Sequence, residues 1–181
     1  MTRKKCGPRL IITGPIGSGK TTHALELVGS YRTAGRSVGG VVSLHLHADP
    51  EDPRNESYRF RLLSSGQEHT FARRSSTPTP PSRRYAFDSE AFEKARAELL
   101  RPPEDIMVVD ECGPLELEGR GLWQPLSRLW HGFPGELLVT VRESLLDSLL
   151  EALGTDRQTA ERPAADPKPP HEPSIEIIRL P

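Results

Sequence analysis

The chain has 181 residues, 35% hydrophobic and 27% charged, with a formal net charge of −1. That length suits a single domain spanning 1–181 with a proper core, and the near-neutral balance points to no nucleic-acid or anionic-membrane partner. No apolar run approaches the roughly 20 residues of a membrane helix. The basic start Met1-Thr2-Arg3-Lys4-Lys5 is not followed by the apolar stretch of about 7–15 residues that a secretory signal carries, so the expected location is the cytoplasm.

Residues 9–13 read as a first strand, apolar and therefore covered on both faces. Gly14-Pro15-Ile16-Gly17-Ser18-Gly19-Lys20-Thr21 follows, and a helix runs from Lys20 to about Thr33 with Gly35 as its stop. Residues 38–47 read as a strand, and Asp49 to Asn55 as an acidic loop punctuated by proline. Alternation over 57–63 and a Ser64-Ser65-Gly66 turn into 68–72 predict a β-rich excursion over about 39–72, an antiparallel extension of the sheet. Residues 73–84 are irregular, Tyr85-Ala86-Phe87 a short strand, and Asp88 or Ser89 the cap of a helix to about Leu100. A buried strand at 106–110, a helix with Pro125 in its first turn, a buried strand at 137–141 and a leucine-faced helix ending at Gly154 come next. The proline-rich stretch 155–173 reads as a loosely ordered connection, and Ser174 to Leu180 as a last strand. Strands alternating with helices predict an α/β sandwich with a mostly parallel sheet. Cys6 and Cys112 fall at opposite ends of that sheet and read as two free thiols.

Gly14 to Thr21 is a complete G-x-x-x-x-G-K-[ST] phosphate loop, placed between a strand and a helix as the motif requires. Its glycines let backbone N–H groups turn towards a β-phosphate, and the helix N-terminus adds its positive end. Residues 14–22, from Gly14 through Thr21 and Thr22, are the expected nucleotide-binding set. Lys20 reaches the β- and γ-phosphates, and the Thr21 hydroxyl is a ligand for Mg²⁺. The apolar strand ending in Asp110 supplies the acid of a Walker B element, touching magnesium directly or through water. Glu111, directly after it, can orient and deprotonate a water for attack on the γ-phosphate.

Val109-Asp110-Glu111-Cys112-Gly113-Pro114-Leu115-Glu116-Leu117 resembles the Asp-Glu-Ile-Gly-x-Met-Glu-Leu signature of the small nucleoside-triphosphatases of thermophilic bacteria and archaea. The human cancer-related nucleoside triphosphatase belongs to the same family. The resemblance extends to Gly39-Gly40-Val41-Val42-Ser43, to the Leu63–Gly66 turn and to Tyr85-Ala86-Phe87-Asp88, and covers most of residues 8–153. It implies a RecA-like P-loop core and magnesium-dependent hydrolysis of several nucleoside triphosphates to diphosphate and phosphate. Cys112 and Leu115 replace the usual Ile and Met, and the acidic loop replaces an arginine-rich Gly-x-x-Gly segment. The Asn-Arg pair that many members carry after the last strand has no counterpart here, so the resemblance implies least about base recognition and product release.

Other residues carry weaker signals. Thr140 and Arg142 end a buried strand where RecA-like enzymes often place a polar γ-phosphate sensor, a likeness at the level of fold. Arg73, Arg74, Arg83 and Arg84 are candidates for an arginine finger, although solvated surface charge is the plainer reading. Glu116 either faces the site or pairs with an arginine such as Arg120, and a structural role is the better reading. His45, His47, Asp49 and His69 could make a zinc site, but two histidines on an exposed strand face are ordinary. Trp123, Trp130 and Phe133 are more apt to anchor a helix than to stack a base. The leading function is hydrolysis of nucleoside triphosphate without any acceptor other than water. One alternative is a kinase whose 39–87 excursion holds a small-molecule or nucleotide acceptor. Another is a nucleotide-gated assembly or regulatory partner, with a protein partner and slow hydrolysis.

Overall fold

A computed structural model of the chain describes residues 6–46, 56–74, 85–101, 104–155 and 173–181. In β1 (Arg9–Gly14) every position is buried. Leu10 and Ile12 join one apolar cluster and Ile11 another, so the strand is covered on both faces. α1 (Lys20–Thr33) begins after Gly19, whose φ of 82° is a conformation that glycine alone adopts without strain, and it turns Ala24 and Val28 inward.

β2 (Val38–Leu46), β3 (Ser57–Leu62), β4 (Glu68–Arg74) and β5 (Tyr85–Phe87) come next, followed by α2 (Ser89–Leu99) and β6 (Ile106–Cys112). α3 (Pro114–Leu117), α4 (Trp123–Gly132), β7 (Glu136–Arg142), a 3-10 turn (Glu143–Leu145), α5 (Leu146–Ala152) and β8 (Ile175–Arg179) complete the described elements. They form an eight-stranded sheet in the order β5-β4-β3-β2-β6-β7-β1-β8. β2, β6, β7, β1 and β8 run parallel. β2 to β5 form an antiparallel meander at one side. β2 belongs to both parts: Val38–Val41 pair with Ile106–Val109 of β6, and Val41–Leu46 pair with β3. The extension therefore lies beside the carboxyl-terminal half of β2, the end of the sheet at which parallel α/β folds build their sites.

The fold is the expected α/β sandwich of the RecA-like type, with β7 between the phosphate-loop strand β1 and the Asp110 strand β6. α1 packs on one face over Leu10, Ile12, Val42, Val108 and Leu138. On the other face α2, α4 and α5 cover Ile11, Val41, Val109 and Val139. The antiparallel part reaches further than 39–72, because Tyr85–Phe87 adds an edge strand paired with Ala72–Arg74. α3 is a single turn that no periodicity announces. The acidic loop from Asp49, His47, Arg83, Arg84 and nearly all of 155–173 lie outside the described residues. No helix among the described residues is long and apolar enough to cross a membrane.

Two polar residues set helix ends. Asp88 caps α2, accepting from the backbone N–H groups of Glu90 (2.9 Å) and Ala91 (3.4 Å). Asp88→Ala is expected to cost about 1 kcal/mol, lowering the melting temperature in circular dichroism by about 2–4 °C; an unchanged melting curve would remove the cap from the stability account. Arg9 corrects the expectation that the first strand is apolar throughout, for it opens β1 and is fully buried. Its guanidinium donates to the carbonyls of Leu129, Trp130 and Phe133 at the end of α4, and to those of Gly7, Pro8 and Gly135. Helix-terminal carbonyls lack intrahelical partners and carry the negative end of the dipole. Burial lowers the Arg9 pKa to about 10, so the group is still charged at neutral pH.

Candidate active site

The phosphate loop leaves β1 at the carboxyl edge of the sheet and closes on itself through Ser18 N–H to the Pro15 carbonyl (3.3 Å). Lys20 points back along it, donating to the carbonyls of Gly14 (3.0 Å) and Pro15. Burial and the nearby Arg142 charge lower the Lys20 pKa, while Glu111 and Asp110 oppose the shift.

Asp110 is 3% exposed and is held from three directions. The Thr21 hydroxyl donates to it at 2.8 Å, the Ser43 N–H of β2 at 2.9 Å, and the Thr140 hydroxyl of β7 to its other oxygen. Burial raises the carboxyl pKa, and these donors pull the other way by favouring the ionised form. Thr140 also accepts from the Glu111 N–H at 2.8 Å, so one hydroxyl fixes both acids.

The β6–β7 register slips between Val109 and Cys112. Val109 faces Val139 and Cys112 faces Val141, so Asp110 and Glu111 together stand opposite Thr140. Strict alternation from Ile106 and Val108 would put Cys112 on the α1 face, yet it packs with Val109 on the other. The extra residue of this bulge is Glu111, the sole non-glycine residue with positive φ (60°) among the described residues. Bulges next to active sites re-aim side chains, and a left-handed non-glycine residue persists only where its surroundings hold it. Glu111 remains 37% exposed and pairs with Arg142, itself 38% exposed, at 3.3 Å. Burial and the charge of Asp110 raise its pKa, and Arg142 opposes them.

Glu116 is a structural residue. It is 7% exposed and accepts from the N–H groups of Gly113 and Leu122 at 3.0 Å each, tying the loop after β6 around α3. Arg120 pairs with Glu118 instead. Cys6 and Cys112 are free, and Cys112 is buried, which raises its thiol pKa.

Lys20, Thr21, Asp110, Glu111, Thr140 and Arg142 thus converge at the carboxyl edge, while the remaining candidates lie elsewhere. Arg74 pairs with Glu56 at 3.5 Å, and Arg73 is exposed on β4. His45 bonds to Glu56 (3.0 Å) and stacks on Tyr58, whereas His69 stands opposite Phe60. His47 and Asp49 lie outside the described residues. Trp130 and Phe133 are core residues, with Trp123 packed beside them. Sequence reasoning missed Ser43, which acts through its backbone N–H, and an aromatic cavity beside Glu111. For the cavity, the alternation of Tyr58 and Phe60 was the available signal.

A hydroxyl and a carboxylate held together are hard oxygen donors that suit Mg²⁺, which takes few protein ligands and completes its shell with phosphates and waters. The Thr21 hydroxyl spends its proton on Asp110, leaving its lone pairs available to a cation. The residues therefore fit the ion.

A family model described as NTPase matches residues 9–160. The chain belongs to this family. It is 29% identical over 143 residues to the nucleoside-triphosphatase THEP1 of Pyrococcus abyssi, covering 77% of this chain and 76% of the relative. Its match to the THEP1 of Korarchaeum cryptofilum is 28% over 125 residues, covering 67% and 63%. The solution structure of a human cancer-related nucleoside triphosphatase superposes with a TM-score of 0.63 at 22% identity, over 82% of this chain and 86% of that one. The crystal structure of THEP1 from Aquifex aeolicus gives 0.63 at 18% identity, over 95% and 89%. At those identities the likeness to the two solved structures concerns the fold.

Proposed function

We propose that this NTPase is a magnesium-dependent phosphohydrolase that converts nucleoside triphosphate to diphosphate and phosphate, with broad tolerance of the base, acting in the cytoplasm as one domain. The observation that carries the reading is the bulge of β6, which keeps Asp110 locked to Thr21 and turns Glu111 out beside it.

In this reading the loop amides and the N-terminus of α1 hold the β-phosphate, and Lys20 exchanges loop carbonyls for phosphate oxygens. Thr21 holds the magnesium ion, with Asp110 fixing the direction of its hydroxyl; the ion, when bound, neutralises charge on the β- and γ-oxygens. Glu111 accepts a proton from the water that attacks the γ-phosphorus as the bond to the β–γ bridging oxygen breaks. Its raised pKa fits a base that must take up a proton, and the Arg142 charge at 3.3 Å opposes that rise by favouring the ionised form.

The test is phosphate and diphosphate release from ATP, GTP, CTP and UTP with no other acceptor present. Equal amounts of both products are expected from all four, with release falling to background when EDTA removes the metal. Release that needs an added acceptor, or that persists in EDTA, would overturn the reading.

A further inference from the structure

Beside the acids lies a cavity of about 460 Å³ whose margin is formed by Asp110, Glu111, Arg142 and Ser43. Six rings line one side of it: Tyr58 and Phe60 from β3, Phe71 from β4, Tyr85 and Phe87 from β5, and Phe92 from α2; Ala72, Leu122 and the 113–116 turn, with the buried Glu116, complete the lining. The rings brace one another. Phe60 and Phe71 stack at 3.8 Å, Phe92 stands edge-on to both at 5.1 and 5.6 Å, and Tyr85 is edge-on to Tyr58 at 5.3 Å. Phe87, at 49% exposure, is one of the few large apolar side chains left open to solvent.

Attack by water uses Glu111 and requires none of these rings. The volume lies within the roughly 300–1,000 Å³ of small-molecule sites, which are apolar walls with a few placed polar groups. Strand order also fixes which end of a triphosphate faces the cavity. The acids on β6 lie between the phosphate loop after β1 and the aromatic strands β3 to β5. A triphosphate held by the loop with its γ end at the acids directs that end, and not its base, towards the rings.

We propose that this cavity is an acceptor site for a small planar aromatic or heteroaromatic alcohol, whose hydroxyl takes the γ-phosphoryl group in place of water. The enzyme is then also a phosphotransferase. The inference rests on the role given to Glu111 above and uses the same triphosphate site. The acceptor oxygen forms a bond to the γ-phosphorus while the bond from that phosphorus to the β–γ bridging oxygen breaks. The hydroxyl proton passes to the Glu111 carboxylate, and a phosphate monoester and a nucleoside diphosphate leave. Flat rings are favoured because they can stack on the aromatic wall, an interaction of about 0.5–1.5 kcal/mol per ring pair.

The experiment supplies the full chain and magnesium ATP with benzyl alcohol, 3-hydroxymethylpyridine, pyridoxine or uridine. Each is used at about 10 mM, tenfold above the usual KM range, and ethanol is the ring-free control. Diphosphate, phosphate and monoester are followed in one sample by ³¹P NMR. The expected result is diphosphate in excess of phosphate with at least one ring-bearing probe, the difference appearing as monoester, and no transfer to ethanol. Phe87→Ala, at the mouth of the cavity, is expected to raise the probe concentration for half-maximal transfer by about 3–10-fold. The ratio of transfer to hydrolysis within a sample is independent of how much enzyme is folded. Diphosphate equal to phosphate with every probe would overturn the acceptor site, as would transfer to ethanol as good as to the rings. A probe that raises the KM for ATP without forming monoester would also overturn it, placing the substrate's own base in the cavity. Monoester formed by an enzyme that releases no phosphate without a probe would leave this proposal standing and remove the hydrolase reading. Phosphate release that ignores every probe would do the reverse.

Discussion

Glu111→Gln is expected to lower acceptor-free phosphate release by about 10²-fold or more, the scale of a lost general base. The substitution preserves side-chain size and the left-handed backbone, where glutamine is no worse placed than glutamate. What it removes is the ability to take a proton, together with the ion pair to Arg142. Both partners of that pair are more than a third exposed, at 37% and 38%, so its loss costs under about 1 kcal/mol. Initial rates with saturating magnesium ATP therefore report chemistry rather than unfolding, and the melting temperature should move by no more than about 2–4 °C. The KM for ATP should change little, because the proposed reading assigns the phosphates to the loop and Lys20 and not to Glu111. A mutant rate within threefold of wild type would take Glu111 out of proton transfer.

Arg9→Ala is expected to destabilise the fold by about 3–5 kcal/mol, lowering the melting temperature by about 10 °C, as followed by circular dichroism or calorimetry. The side chain satisfies six carbonyl groups from three stretches of chain: Gly7-Pro8, the end of α4, and Gly135. Removing it takes the donor from the Gly7, Trp130 and Gly135 carbonyls at about 1–3 kcal/mol each, while those of Pro8, Leu129 and Phe133 keep the backbone N–H groups of Leu137, Phe133 and Gly7, and water entering the new space recovers part of the loss. Since domains are stable by only about 5–15 kcal/mol, one side chain at the bottom of β1 carries a large share. Arg9→Lys recovers part of the loss, because an ammonium has three donors where the guanidinium has five. A melting temperature within 2 °C of wild type for Arg9→Ala would show that these contacts contribute little. Arg9 lies at the edge of the sheet opposite the phosphate loop, so activity at low temperature should survive the substitution.

Most of the framework was legible in the sequence because its signals are local. The loop 14–21 needs glycines at fixed spacing to hold its backbone, and Ile106–Val109 must be apolar on both faces to be a central strand. Asp88 marks its helix start because its side chain reaches its own backbone two and three residues on. The alternation of 57–63 likewise shows a half-covered strand.

Other roles depend on partners far along the chain. Glu98 looks like an ordinary helix-surface acid, yet it is 4% exposed because its carboxylate accepts from Gly40 N–H, Ser64 N–H and the Ser64 hydroxyl. Arg9 reads as the charged start of a strand until the end of α4 is brought beside it. Glu111 follows Asp110 in any reading, but its direction is set by a bulge that exists only in the pairing of β6 with β7. Tyr58, Phe60, Phe71, Tyr85, Phe87 and Phe92 are spread over 35 residues and become one wall when β3, β4 and β5 pair and α2 packs across them.

The sequence by itself determined the phosphate loop, the two acids and the α/β order of elements, since each is written in neighbouring residues whose spacing the backbone enforces. The tertiary structure decided which way Glu111 points, what Arg9 and Glu98 hold together, and that a cavity lined by six rings stands beside the two acids. Strand register and long-range hydrogen bonds set those features, and they arise only when segments distant in the chain are packed side by side.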